Sequence, residues 1–309
     1  MKKTFIVTLC FLLPAIICRA QYVTLALNLT KGQTYYQNTN AVATVEQTVN
    51  GVKTTVTSTI TGRIAFKITG IRDSLYDMEI RYERLSLKMQ LPGGNIMAYN
   101  ADKVQAGDPM SGIFAAFKNQ PIKLVLTKTG NIQLMDGIDA IINRVVDNFT
   151  GADAGQKAQI KSMLQQSFGE RGFRSNFELG TAIFPSIPVR KGVVWVINSQ
   201  LQSARPANVH AIYDLRDITG TYYLIHVNSK IDYMNKDAFE NSGSALMRYN
   251  LDGHITGDIV VDKMTGWVKQ STINQTIGGT TEVKTNALAA PSMVIPMVMK
   301  SDIVITGDN

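Results

Sequence analysis

The alternation that runs from Gln33 to Thr69 constrains this chain more than any other stretch. Two long runs meet at Asn50-Gly51, the dipeptide best suited to the two positive φ angles of a type I′ hairpin turn. After the turn, Val52, Val56, Ile60, Ile64, Phe66 and Ile68 fall on one side, while Lys53, Thr55, Thr57, Thr59, Thr61, Arg63 and Lys67 fall on the other. Successive strand side chains point to opposite faces, so this is a hairpin with one apolar and one wet face sustained over roughly 55 Å. Such a ribbon must lay its apolar face on something.

The next strand, Leu75 to Met89, changes phase. Tyr76, Met78, Ile80 and Tyr82 are even-numbered, whereas Leu85, Leu87 and Met89 are odd. One extra residue around Glu83 to Leu85 restores a single apolar face, which predicts a β-bulge there and a curved sheet. Upstream, Tyr22 to Leu29 alternates as a short strand with Val23, Leu25, Leu27 and Leu29 on one side. Asp108-Pro109 offers an N-cap and a first-turn proline for a helix through Phe117. Ile122 to Thr127, the turn at Thr129-Gly130, and Asn131 to Leu134 make another hairpin.

The period then becomes helical. Ile138, Ile141, Ile142, Val145, Val146 and Phe149 share one face, as do Ile160, Met163, Leu164 and Phe168 after a break at Gly151-Ala152-Asp153. Ser175 and Glu178 read as a capping box that starts a third helix, which Pro185 and Pro188 stop. From Val189 the β pattern resumes to the end of the chain. Asp252-Gly253, Thr265-Gly266 and Gly278-Gly279 read as hairpin turns, and Met297 to Thr306 as a last strand. A short echo links the halves: Leu29-Thr30-Lys31-Gly32 before Tyr35 against Val189-Arg190-Lys191-Gly192 before Trp195.

These patterns predict an α+β chain that is mainly antiparallel β: a long curved sheet, a half-barrel or open barrel, with a central helical segment packed on it. The expected layout is a signal peptide over residues 1–20 and one β-rich domain over 21–309. That domain divides into a first β module (21–135), a helical connector (136–184) and a second β module (185–309).

The expected signal peptide comprises Lys2 and Lys3, an apolar run from Phe5 to Ile17, and Cys18-Arg19-Ala20. Ile17 stands where a lipid-anchored cysteine at position 18 normally follows a small residue, which argues against lipidation of Cys18. The chain's two cysteines, Cys10 and Cys18, both fall within that segment, so the expected mature chain has no disulfide, thiolate nucleophile or cysteine metal site. Losing Lys2, Lys3 and Arg19 lowers the formal net charge from +7 to +4. No basic cluster suggests nucleic-acid binding, and no later apolar run has the length of a membrane helix. The expected location is the periplasm or the outer surface of a bacterium.

Catalytic signatures are missing. There is no Gly-x-Ser-x-Gly elbow, phosphate-binding glycine loop, His-Glu-x-x-His or calcium loop. His210 and His226 sit on wet strand faces and His254 follows a turn, so a structural role outweighs a catalytic one for each. Asp232, Asp237 and Glu240 read as a solvated loop before they read as a cation site. No enzyme activity, metal or cofactor is expected.

The apolar surplus is the most functional feature. Val56, Ile60, Ile64, Phe66, Met78, Ile80, Tyr82, Ile141 and Val145 are the candidate ligand-facing residues. They admit two readings: an ordinary filled core, or a pocket for a lipid or other apolar small molecule between sheet and helices. Met293, Met297 and Met299 suit either a lid over such a pocket or plain core filling. A second function class is a structural or interaction module of the cell envelope, with a packed core and a docking face at Lys53, Arg63 and Lys67.

The order of these signals resembles an uncharacterised family of secreted bacterial proteins known as domain of unknown function 6263. The residues carrying the resemblance are the Lys31-Gly32 to Tyr35 start, Pro121 with the Thr129-Gly130 turn, Val189 to Gly192 to Trp195, and Gly257, Ile259, Asp262, Thr265 and Gly266. The resemblance implies no activity. The layout is also similar, more loosely, to half-barrel lipoprotein carriers of the bacterial envelope, whose curved antiparallel sheet shelters acyl chains. That likeness bears on fold alone.

Overall fold

The long hairpin forms as the alternation predicts. In the computed structural model, which describes residues 22–104, 109–149, 151, 153–202, 206–242, 245–285 and 293–308, β1 (Thr34–Val49) and β2 (Val52–Arg72) pair from Val49↔Val52 down to Thr34↔Lys67. Asn50 and Gly51 hold φ angles of 50° and 77°, as a type I′ turn requires. The expected signal segment and Asp108 lie outside the described residues.

β3 (Leu75–Gln90) pairs with β2 through the expected bulge. Arg63 faces Arg84 and Ile64 faces Tyr82, so Glu83 is the extra residue, and Tyr82 and Leu85 share one face. β4 (Ile96–Asn100) and β5 (Ile122–Thr127) both pair with β3, and β5 pairs with β6 (Ile132–Asp136). The second half supplies β7 (Val194–Leu201), β8 (Ala207–Ile218), β9 (Tyr222–Tyr233), β10 (Glu240–Ser242), β11 (Ala245–Asp262), β12 (Val268–Lys284) and β13 (Met293–Asp308). All the described strands join one antiparallel sheet in the order β6-β5-β3-β2-β1-β13-β12-β11-β9-β8-β7, with β4 on β3 and β10 on β11. The first and last strands of the described chain, β1 and β13, therefore meet in the middle, and the open edges are β6 and β7.

Two expected turns are strand interior instead. Asp252-Gly253 lies within β11 and Gly278-Gly279 within β12. At Gly253 the missing Cβ leaves room for the Ile231 and Ile277 side chains, 3.0 Å from where it would stand, so this glycine serves close strand approach rather than reversal.

The helices fill the gap between the edges. α1 (Pro109–Phe117), α2 (Ile138–Asp147), α3 (Ala154–Phe168) and α4 (Glu170–Thr181) lie between or before those edge strands in sequence. α3 begins with a capping box at Asp153 and Gln156. The expected box at Ser175 does not form, because α4 already starts after Gly169 and Ser175 Oγ donates back to the Arg171 carbonyl at 2.8 Å. α4 touches both sheet edges. Arg174 donates to the Ile132 carbonyl at 2.7 Å and Glu178 accepts from the Ile132 N–H at 2.7 Å, which caps β6. On the other side, Ser175 Oγ accepts from the Gln202 N–H at 3.1 Å, just past β7.

The segment expected as a strand at Tyr22 to Leu29 stays out of the ladder and crosses the closed end of the sheet. Val23 exchanges backbone bonds with Val189, the Leu27 N–H reaches the Lys128 carbonyl, and the Asn28 N–H reaches the Thr265 carbonyl. Its four alternating apolar residues, Val23, Leu25, Leu27 and Leu29, are all buried. Tyr76 clamps it, donating to the Leu27 carbonyl and accepting from the Leu29 N–H.

The Thr265 end of that crossing depends on Asp262. Its Oδ1 accepts from the Met264 and Thr265 N–H groups and from Thr265 Oγ1, all near 3.0 Å. Burial by itself raises the carboxyl's pKa, but these donors outweigh it and hold the group below the ordinary carboxylate range. A depressed carboxylate stabilises the fold above its unfolded-state pKa, and that contribution is lost as pH falls from about 4 downward. Urea midpoints measured across pH 3 to 7 should fall at the acid end, and Asp262→Asn should flatten part of that fall.

Candidate functional site

Cross-strand register assigns every side chain of the six longest strands to one of two faces. Tyr35, Phe66 and Ile80 are paired neighbours on the inner face, which continues through Ala41, Ile60, Leu87 and Tyr99. Further toward the hairpin tip it continues through Gly253, Ile277, Met299, Val45 and Val56. From Gln37 to Val49, Val52 to Ile68, Met78 to Met89, Met247 to Val261, Ser271 to Val283 and Met293 to Gly307, no inner-facing residue is Asp, Glu, Lys, Arg or His. The charges lie on the outer face, among them Glu46, Lys53, Arg63, Arg248, Glu282 and Lys300.

The two halves of that inner face differ in cover. At the closed end the helices and the crossing segment bury it under a ladder of rings. Tyr35 stands 5.3 Å from Trp267, Trp267 5.2 Å from Phe66, Phe66 5.5 Å from Phe177, and Phe173 6.0 Å from Tyr82, centroid to centroid. Phe173 and Phe177 stack on each other and remain half-buried. Past them, toward the Asn50-Gly51 turn, most of the inner face is half-exposed: Val45, Val56, Met297 and Met299 are partly open, and Ile60 is 45% exposed.

The nine candidate residues therefore do not form one surface. Phe66, Met78, Ile80, Ile141 and Val145 are buried in one hydrophobic cluster, with Phe66 packed against Phe177 and Trp267. Ile64 and Tyr82 sit at the boundary, partly buried against that core. Val56 and Ile60 lie on the open part. Sequence reasoning missed the other wall of the trough, made by Met247, Met297 and Met299. Its alternation was legible, but its place beside Val45 and Gln47 depends on the pairing of β1 with β13. Met293, Met297 and Met299 are part of that wall and not a lid.

The polar candidates are engaged elsewhere. Arg63 donates to Glu83 at 2.8 Å and to Asn38 at 3.1 Å, reaches Asp308 at 3.5 Å and lies 4.1 Å from the Tyr36 ring centroid, so it ties β2 to the bulge and to β13. Lys53 pairs with Glu46 at 3.0 Å. His226 bonds Asp258 at 2.8 Å and His210 bonds Asn198 at 2.7 Å, both on the outer face. Asp232 is held below the usual carboxylate range by Lys230, with Lys236 adding to it. Among the described residues no group of three or more His, Cys, Asp or Glu is placed to hold a metal ion. A polar cleft of about 390 Å³ beside the hairpin tip is lined by Lys53, Thr55, Gln90 and the Pro92–Gly94 turn.

The sequence profile of a family of unknown function, DUF6263, matches residues 73–268. No curated protein matches the chain. Among solved structures, lipovitellin, described for its lipid–protein interactions, superposes over 91% of this chain with a TM-score of 0.50 and 10% identity. The match spans 26% of the lipovitellin chain. An outer membrane channel from Pseudomonas putida F1 covers the same 91% at 9% identity, and 97% of that channel is matched, but its TM-score is 0.24.

The division of the inner face has a measurable consequence. Phe66→Ala should destabilise the protein by about 3–5 kcal/mol through lost burial and a cavity, whereas Ile60→Ser on the open part should change stability by less than about 1 kcal/mol. Denaturant unfolding of the two variants beside the parent checks this.

Proposed function

The chain belongs to the DUF6263 family, a family of unknown function, and from that premise we propose that it is an exported, non-catalytic envelope protein that shelters a lipid or similar apolar ligand against the open half of its inner sheet face. The observation carrying this reading is the charge-free inner face that extends past its helical cover. A soluble protein gains nothing from exposing that much apolar surface by itself, and large uncovered apolar patches mark ligand or partner sites. An acyl chain laid there gains up to about 0.8 kcal/mol per buried methylene. The half-buried Phe173 and Phe177 form the closed end of the trough, and Ile60, Leu87 and Met299 stand on its walls.

Two further points support the reading. On the six longest strands the charges are confined to the outer face, beside threonine, asparagine and the exposed Val294, Val298 and Val304, so the inner face alone is free of charge, as shelter for an apolar cargo requires. Lipovitellin shares the fold over most of this chain and its structure was described for lipid–protein interactions, although at 10% identity the likeness is one of fold. The docking alternative at Lys53, Arg63 and Lys67 has less support, because Arg63 and Lys53 already hold partners within the chain.

The test is organic extraction of the protein purified from bacterial cells, followed by mass spectrometry of the extract. A stoichiometric lipid should appear with the parent protein, vanish with Ile60→Lys combined with Leu87→Lys, and persist with Thr59→Lys on the outer face. Absence of any co-extracted lipid, together with no binding of the neutral dye N-phenyl-1-naphthylamine, would overturn the proposal.

A further inference from the structure

Six of the chain's methionines share the open part of the inner face. Met89 and Met97 are direct cross-strand partners on β3 and β4. Met247 and Met293 each pair with Val283, from opposite sides of β12. Met297 and Met299 stand beside Gln47 and Val45. Met97 is exposed and the others are partly so. Three of the sulfurs already have a hydroxyl within reach: Tyr249 OH lies 3.3 Å from Met247 Sδ, Tyr99 OH 3.7 Å from Met97 Sδ, and Thr281 Oγ1 3.7 Å from Met297 Sδ.

We propose that these six methionines form an oxidant-sensitive modification site, through which conversion to methionine sulfoxide reversibly releases the apolar ligand. The inference rests on the ligand-binding reading above. The co-reactant is a two-electron oxidant of the peroxide class. The sulfur lone pair attacks one oxygen of hydrogen peroxide, the O–O bond breaks, and the proton of the transferred oxygen passes to the departing hydroxide, which leaves as water. Sulfide is oxidised to sulfoxide while hydrogen peroxide is reduced to water. Oxidation turns a soft apolar side chain into a polar one and is undone by dedicated reductases.

The surroundings favour this outcome at this place. A thioether sulfur is a weak acceptor and a sulfoxide oxygen a strong one, so the hydroxyls of Tyr249, Tyr99 and Thr281 stand ready to bond the product. On a face without charges, several such dipoles replace the lining that an acyl chain would contact. Met78 and Met135 are buried in the core and shielded from the reagent. Met163 and Met264 are exposed but lie off this face, on α3 and at the β11–β12 turn, and serve as internal controls.

The experiment treats the full chain with hydrogen peroxide, maps sulfoxides by mass spectrometry and measures binding of N-phenyl-1-naphthylamine. Oxidation at the six positions should weaken dye binding at least ten-fold, and incubation with methionine sulfoxide reductases should restore it. Replacing all six by Leu should make the dye binding that remains resistant to peroxide, while Met163→Leu with Met264→Leu, off the binding face, should leave binding intact and as sensitive as before. The second variant keeps the test decisive if the first does not fold. Unchanged affinity after sulfoxide forms at the six sites, or full protection by the Met163 and Met264 pair, overturns the inference. Failure of the untreated protein to bind the dye instead counts against the ligand reading itself.

Discussion

The structure depends on a mismatch between the length of its apolar sheet face and the supply of helix to cover it. Six long strands share one face with no charged residue, and burying such a face is the main favourable term available to this chain. The helices and the Val23–Leu29 segment cover the half nearest the closed end. Past Phe173 and Phe177 the cover thins, with Val45, Val56, Met297 and Met299 half-exposed and Ile60 exposed while Leu251, Ile277 and Thr281 on the same face stay buried, and the strands continue to the Asn50-Gly51 turn.

The covered half is held by connections between distant parts of the chain. One extended segment bonds in turn to Val189, to Lys128 and to Thr265, so it laces both halves of the sheet together at the closed end. α4 does the same at the edges, bonding Ile132 on one side and Gln202 on the other. A sheet edge is a row of unpaired backbone groups, and a helix placed between two edges removes the invitation to pair with another chain. Arg63 adds a third link across the meeting of β1, β2 and β13. These ties let the open half project as a ribbon without support of its own.

The same arrangement sets the limits on function. Among the described residues, the ionisable groups named above that hold partners lie on the outer face, in turns, at the α3 cap or, as Arg174 and Glu178, on α4, and each has an ordinary structural role there. Asp262 shapes a turn, Arg72 pairs with Asp77, and Lys191 pairs with Asp217. What is left without a structural role is apolar surface. Non-directional attraction by such a surface suits ligands defined by their apolar area more than by their functional groups, and a methionine-rich lining adapts to several shapes.

Local chemistry alone told much of this. The alternation between Gln33 and Thr69, the Asn50-Gly51 reversal, the phase change that places a bulge at Glu83, and the helical period of Ile138 to Val146 are all short-range signals, and each element forms where its side-chain period puts it. Local signals also misled. Gly253 and Gly279 resemble turn residues, yet they are strand interior because neighbouring strands crowd them, and Ser175 resembles a cap although its helix has already begun. Only the tertiary structure decided that β13 lies beside β1, that Phe66 and Ile80 are core while Ile60 of the same stripe is open, and that methionines far apart in sequence share one wall. Those outcomes turn on which strands pair and how far the helices reach. They follow from contacts summed over the whole chain, which no window of sequence contains.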